Sequence, residues 1–307
     1  MKNIFQNPKA LTLLTISMWA LFGVLIKLVT SSNTFFIIAI ALWAASIINL
    51  IYFLKNRKPR NSETKVGLGF IFFAACGYFI YWVLLLNCII LYEDFVSVPL
   101  VLNYTWPLFT VLISIVVFKV QKFNIITIIS MAIGFLGIII LGSEGNIENL
   151  KFSKSILGLI LGVGSGFAYG IFSAYASTLS NKLDTSKLLL TGSLIGAIGL
   201  TVISYFKYGL HLFDLSTLDL VVAFSLGLFL DGFAYITWTR ALAISVRDKI
   251  DISISANLVN FLPLYSIALM GIFYLDERSV MSKPYFLLAF GLVLISSLIP
   301  NYLRKNN

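Results

Sequence analysis

The sequence predicts an all-α integral membrane protein of ten transmembrane helices, built as two inverted five-helix repeats with the N- and C-termini cytoplasmic. Three observations lead there. First, 59% of the 307 residues are apolar and only 11% are charged, whereas a soluble domain carries about 25% charged residues to cover its surface. Second, the apolar residues fall into ten continuous runs, each near the ~20 residues that a bilayer core of ~30 Å requires of a helix. Third, sixteen of the 22 Lys and Arg, among them Lys55, Arg57, Lys58, Arg60 and Lys65, fall on the side that carries the termini. That bias is the positive-inside signature of a cytoplasmic face. The net charge of +9 is therefore a topology signal rather than a nucleic-acid patch, and nucleic-acid binders, soluble enzymes and disordered scaffolds are excluded.

The first run, 10–28, has no small-residue cleavage site and is followed at once by further apolar runs, so it reads as a helix and not a signal peptide. Lys27 anchors its outer end. Runs at 34–54 and 66–90 flank a basic loop, and the third carries Tyr78, Tyr81 and Trp82. Cys76 and Cys88 lie 12 residues apart in it, ~18 Å along a helix and beyond disulfide reach. The fourth run, 96–118, has Pro107 about halfway, preceded by Asn103, Tyr104 and Trp106. The fifth is 123–142. The sixth, 156–178, carries Gly158, Gly162, Gly166 and Gly170 at strict four-residue spacing, a small-xxx-small stripe that lets helices approach closely. The seventh, 187–206, repeats a shorter form with Gly192 and Gly196.

The eighth run, 219–243, places Asp231 twelve residues in, ~18 Å deep and close to the bilayer centre. A charge there costs ~2.5–3.5 kcal/mol on insertion scales, so it faces a cavity or a partner. Tyr235 and Trp238 follow it, and Arg240 near the inner boundary reads as a snorkelling cation. The ninth run, 251–275, has Pro263 about halfway with Asn260 three residues before it, and the tenth is 284–303. Each mid-helix proline removes a backbone donor, and such breaks are tolerated at membrane depth where a cavity or neighbouring groups satisfy them. Candidate substrate-binding residues are Asp231, Asn103, Asn260, Tyr78, Tyr81, Trp82, Tyr104, Trp106, Tyr235 and Trp238, with Pro107 and Pro263 as kinks. Interhelical hydrogen bonding explains the two asparagines equally well.

Self-similarity divides the chain into 1–142 and 143–307. Pro107-Leu108-Phe109-Thr110 matches Pro263-Leu264-Tyr265-Ser266, and Gly77-Tyr78 matches Gly232-Phe233 at 30 and 31 residues before the proline. Gln121 and Glu277 each lie 14 residues after it, and Ser17-Met18-Trp19-Ala20 matches Ser165-Gly166-Phe167-Ala168. Five helices per unit invert the second copy, the construction of many secondary transporters.

These features resemble the drug/metabolite transporter superfamily with two EamA-type halves: ten spans, a proline in the fourth and ninth, and Glu277 closing the ninth. Gln121 departs from the pattern, since the first half would ordinarily carry an acid there. Leu102-Asn103-Tyr104-Thr105-Trp106-Pro107, Ala174-Tyr175-Ala176-Ser177-Thr178-Leu179-Ser180 and Tyr235-Ile236-Thr237-Trp238-Thr239-Arg240-Ala241-Leu242 look most like the aromatic amino acid exporter group. The resemblance implies export or exchange of amino acids across a bacterial inner membrane by alternating access, through a cavity between helices 1, 3 and 4 and helices 6, 8 and 9. The alternative is a cationic metabolite, such as a choline-like amine or S-adenosylmethionine, with Asp231 as counter-ion.

No catalytic residue, metal site or cofactor is expected. The one histidine, His211, sits in an outer loop, and neither an HExxH pattern nor a phosphate loop occurs. The expected partners are a small-molecule substrate and the lipid bilayer. One chain suffices for a transport unit, and the glycine faces leave room for a dimer.

Overall fold

The computed structural model describes residues 6–31, 33–57, 66–92, 97–179, 182–209 and 214–303. His211, Lys58, Arg60 and Lys65 lie outside them, as does the side chain of Glu277. Among the described residues the chain is helical throughout. Its helices are α1 (Pro8–Ile26), α2 (Thr34–Asn56), α3 (Leu68–Leu91), α4 (Ser97–Asn103 and Trp106–Val116), α5 (Ile125–Gly142), α6 (Ile156–Thr178), α7 (Lys182–Tyr208), α8 (Thr217–Arg247), α9 (Ile252–Phe273) and α10 (Pro284–Leu303). The first nine are long and apolar enough to cross a membrane, and α10 is a shorter apolar helix over Pro284–Ile299. The protein is a multi-pass integral membrane protein. Leu13, Ile47, Phe206, Phe229 and Leu287 stand exposed on the outer faces of the bundle, where lipid is their natural solvent.

Short polar side chains start the helices, because the first turn has backbone donors without partners. Asn7 Oδ1 accepts from Lys9 N, Asn33 Oδ1 from Phe36 N, Asn124 Oδ1 from Ile126 N and Ser155 Oγ from Gly158 N. At α8, Ser216 and Asp219 form a reciprocal capping box. The buried Asp219 carboxylate also accepts from Thr30 N at 2.8 Å and Thr30 Oγ1 at 3.0 Å, which ties the end of α1 to the start of α8. Gln121 stands where the resemblance leads one to expect an acid. Its Oε1 accepts from Ile252 N at 2.9 Å, so it caps α9, a task that a neutral amide performs as well as a carboxylate.

Several boundaries differ from the apolar runs. α7 begins at Lys182 and not 187, taking Asp184, Thr185 and Ser186 into its first turns, where they are buried. α8 continues to Arg247. The α7 extension is polar, so hydropathy alone stops short of it, while the α8 extension, Ile244-Ser245-Val246-Arg247, mixes apolar and polar residues. α9 ends at Phe273, and Glu277 falls beyond it in a 3₁₀ segment, Leu275–Ser282.

Two irregularities recur in matching order. α4 breaks at Tyr104–Thr105 and α9 at Asn260–Phe261, and Pro107 and Pro263 each occupy the second position of the half-helix that follows. α3 widens to a π-helix over Cys76–Ile80, and α8 does so over Leu226–Ala234. In packing, α6 lies against α3 and α4, while α1 lies against α8 and α9; α2 pairs with α7, and α5 with α10. Residues near the start of α1 mark what is called the proximal end of the bundle below.

The α6 glycines sit where that helix meets α3 and α4. A methyl built on Gly158 would meet the Tyr92 ring, on Gly162 the Leu102 side chain, and on Gly170 Phe109. Gly166 faces the α4 break itself. Its added methyl would run into Thr105 Oγ1 and lie 2.9 Å from the Asn103 carbonyl oxygen. Gly164 faces the other way, with only Leu84 Cδ1 near, at 3.5 Å. Gly166→Ala is expected to cost about 1–3 kcal/mol as an overpacked contact against backbone. Gly164→Ala should be neutral or stabilising, because alanine is the better helix former by ~1 kcal/mol. Thermal unfolding of the two detergent-purified variants checks the contrast.

Candidate functional site

A cavity opens at mid-depth between α1, α3, α4, α6, α8 and α9, with about 100 Å³ open to the centre of a water-sized sphere. Its walls are mainly aromatic, and Asp231 is the one carboxylate among the lining residues. Both π segments bear on it. A widened turn exposes backbone carbonyls to side-chain donors, and such turns gather at functional sites. Here Trp19 Nε1 donates to Leu230 O at 3.2 Å, Tyr78 Oη to Asp231 O at 3.3 Å, and Tyr235 Oη to Gly77 O at 3.1 Å. The last two run in opposite directions between α3 and α8 and lock the two π segments across each other.

Trp19 forms the centre of the floor. Its ring makes edge contacts with Trp106 (5.8 Å between centroids), Tyr169 (6.2 Å) and Tyr235 (6.1 Å), and a tilted contact with Trp238 (6.0 Å). Trp106 in turn meets Tyr169 at 4.9 Å and Trp238 at 5.2 Å, both edge-on. Edge-to-face geometry sets positive ring edges against negative ring faces and contributes ≈ 0.5–1.5 kcal/mol per pair beyond burial. Proximal to the floor, Thr15 Oγ1 and Thr237 Oγ1 lie 2.7 Å apart, and Trp238 Nε1 donates to Ser173 Oγ at 3.1 Å. Leu11, Ala241 and Ile244 pack below them. The first half of α9 also packs on the second half of α4. The cavity is thus sealed on its proximal side and extends distally between Phe22, Trp82, Leu85 and Leu100.

On the wall, Asn103 Nδ2 donates to Tyr81 Oη at 3.4 Å, and Asn103 Oδ1 accepts from Ser165 Oγ at 3.2 Å. The α4 break brings this amide to the cavity. Two buried donors make no well-formed hydrogen bond: Trp82 Nε1, which faces the Asp231 carboxyl group, and Tyr169 Oη, which faces the Tyr235 hydroxyl. An unpaired buried donor is costly, so these two are suited to take acceptors from a bound molecule. Together with Asp231 they offer one carboxyl group and two neutral donors within an aromatic box. Among the described residues no group of His, Cys, Asp and Glu is arranged to hold a metal ion.

Seven of the sequence candidates therefore meet around one cavity: Asp231, Asn103, Tyr81, Trp82, Tyr104, Trp106 and Tyr235. Three do not line it. Tyr78 is fully buried behind the wall, its hydroxyl spent on the α8 backbone. Trp238 lies one turn beyond Tyr235, under the floor. Asn260 turns its amide toward Gly134 on α5, away from the cavity. Trp19 and Tyr169 were absent from the sequence candidates. Tyr169 had a signal, since it lies three residues after Gly166 on the closely packed face of α6.

Residues 9–143 match the model of the EamA-like transporter family, within the drug/metabolite transporter superfamily. Among solved structures, one titled only as the crystal structure of a protein superposes with a TM-score of 0.73, at 13% identity, over 97% of this chain and 98% of its own. That likeness concerns the fold. No curated protein matches the chain significantly.

The floor yields a direct test. Trp19→Ala removes the ring that four others pack against and is expected to cost roughly 3–5 kcal/mol. Phe167→Ala, at the residue that the internal repeat pairs with Trp19, should cost under about 1 kcal/mol, because Phe167 is 46% exposed toward the lipid. Thermal unfolding in detergent distinguishes them.

Proposed function

We propose that the chain, a multi-pass membrane transporter of small molecules with an EamA-like domain over residues 9–143, exports or exchanges amino acids, aromatic ones above all. The observation that carries this reading is the pairing of the buried Asp231 with an aromatic box at mid-depth. An α-ammonium group suits Asp231, since an intramembrane carboxylate is best compensated by a cation. The substrate carboxylate would take hydrogen bonds from Trp82 Nε1, Tyr169 Oη and the Asn103 amide. A planar side chain would pack edge-on against Trp19 and Trp106, in the geometry those rings already adopt with one another.

In this reading the halves 1–142 and 143–307 are inverted repeats, and transport alternates access across the Trp19 floor. The break and π segment that recur in each half support it. The bias of Lys and Arg toward the proximal side supports cytoplasmic termini, and we assign the chain to a bacterial inner membrane.

One observation favours a second reading. No Lys or Arg lines the cavity, so a cation without a carboxylate, such as choline or S-adenosylmethionine, would fit the same carboxylate and rings through cation–π attraction.

A thermal-shift series on the detergent-purified chain and its Asp231→Asn variant separates the two, using tryptophan, phenylalanine, leucine, tryptamine, choline and S-adenosylmethionine. A ligand bound only by the folded state adds about 2.7 kcal/mol at a hundredfold excess over its Kd. Tryptophan and phenylalanine are expected to raise the melting temperature, with the shift lost in Asp231→Asn. Stabilisation by tryptamine, choline or S-adenosylmethionine alone would replace the amino acid reading with the cationic one. Shifts that persist in Asp231→Asn would remove Asp231 from the site.

A further inference from the structure

A second cavity, with about 210 Å³ open to the centre of a water-sized sphere, lies at the proximal end between the start of α1, the end of α2, the α6–α7 turn and the last turns of α8. Its character is opposite to that of the first. Lys182, Arg240 and Arg247 line it, together with Gln6, Tyr52 and Thr185. Arg240 and Arg247 are two helical turns apart on one face of α8, and Lys182 and Thr185 share a face of the first turn of α7. Arg247 is engaged by Asp248, with Nε to Oδ1 at 2.8 Å and Nη2 to Oδ2 at 3.3 Å. Asp184 lies on the same turn as Lys182. Among the described residues no acid lines the cavity, and its three cations outnumber these two neighbouring carboxylates, with Arg240 and Asp184 each held in further contacts. The Tyr52 hydroxyl is buried there without a hydrogen-bond partner.

Convergent cations, a neutral amide and an orphaned hydroxyl donor make up the equipment of an oxyanion site. Guanidinium and ammonium groups supply charge-assisted donors that carboxylates and phosphates accept from. The location adds a constraint. Arg240 is three residues past Thr237, so it lies one turn proximal to the Thr15–Thr237 contact. It lies nine residues past Asp231, ~13 Å along the helix.

We propose that this cavity binds an oxyanion, the carboxylate or phosphate group of a molecule arriving from the proximal side, just beneath the sealed floor. The two cavities then have opposite charge preference on either side of one aromatic layer. The site does not depend on which cargo occupies the upper cavity. The oxyanion comes either from a free solute or from an anionic lipid headgroup.

The test titrates inorganic phosphate into the detergent-purified full chain by calorimetry and, in parallel, measures retention of phosphatidylglycerol against phosphatidylcholine by native mass spectrometry. The variants are Arg240→Gln, Lys182→Gln, Tyr52→Phe and the charge-keeping Arg240→Lys, with Lys283→Gln at the opposite end as control. Phosphate binding is expected to weaken at least fivefold in each Gln variant and less in Arg240→Lys and Tyr52→Phe, while Lys283→Gln matches the parent. Selective retention of phosphatidylglycerol without phosphate binding, lost in the same Gln variants, would identify the source as lipid and uphold the oxyanion site. Binding of neither probe, or binding unchanged in Arg240→Gln and Lys182→Gln, would overturn it. If Arg240→Gln does not fold, Lys182→Gln and Tyr52→Phe decide the outcome.

Discussion

The crossing of the two π segments is the constraint on which the rest of the site depends. Tyr78 reaches from α3 to the Asp231 carbonyl, and Tyr235 reaches from α8 to the Gly77 carbonyl. Their rings lie 4.5 Å apart. In a bilayer a backbone carbonyl released from its helical partner has no water to turn to and must be satisfied by protein. Each tyrosine hydroxyl thus finds its acceptor on the π segment of the other helix, and the two segments are tied to one another at this depth. The crossing fixes the register of α8 against α3 and so sets which side of α8 presents Asp231 to the cavity.

From that crossing the other features follow in layers. Trp19 takes the next carbonyl along α8, that of Leu230, and its ring becomes the hub of the floor. Trp106 can meet Trp19 only because α4 breaks just before it, and α4 can break there because Gly166 on α6 leaves space for the disrupted turn. The glycine stripe, the proline break and the aromatic floor are thus one packing solution. Stripping any part of it exposes backbone polar groups at membrane depth. This coupling explains why small residues lie on α6 opposite the most irregular stretch of α4.

The ten helices were legible in the sequence because continuous apolar runs of bilayer length have few other readings. Asp231 was legible because the helical rise converts position into depth, and Pro107 and Pro263 because a missing donor inside a helix has a fixed consequence. Direction around a helix was much less legible. A regular helical wheel groups Tyr78 with Tyr81 and Trp82, yet the π segment shifts the register between them and turns Tyr78 to the α8 backbone. Asn260 falls on the turn that breaks α9, where its side chain swings toward Gly134. Trp19 sat inside a tetrapeptide used to align the repeats, but with aromatics at 15% of the chain nothing in its local sequence separated a hub from a lipid-facing ring such as Phe167. The first turn of α7 and the last turn of α8, which bring Lys182, Thr185 and Arg247 to the second cavity, lay beyond the ends of the apolar runs.

The floor also gives the protein an optical identity. Three of its five tryptophans, Trp19, Trp106 and Trp238, have ring centroids within 5.2–6.0 Å of one another. Indole transition dipoles that close, held at fixed and largely perpendicular angles, couple strongly and share their excitation. The near-ultraviolet circular dichroism of the folded chain is then expected to include a coupled contribution from this cluster beside the signals of the remaining rings. Any state in which α1 and α8 part across the floor must uncouple it, so this layer carries its own spectroscopic record of being closed.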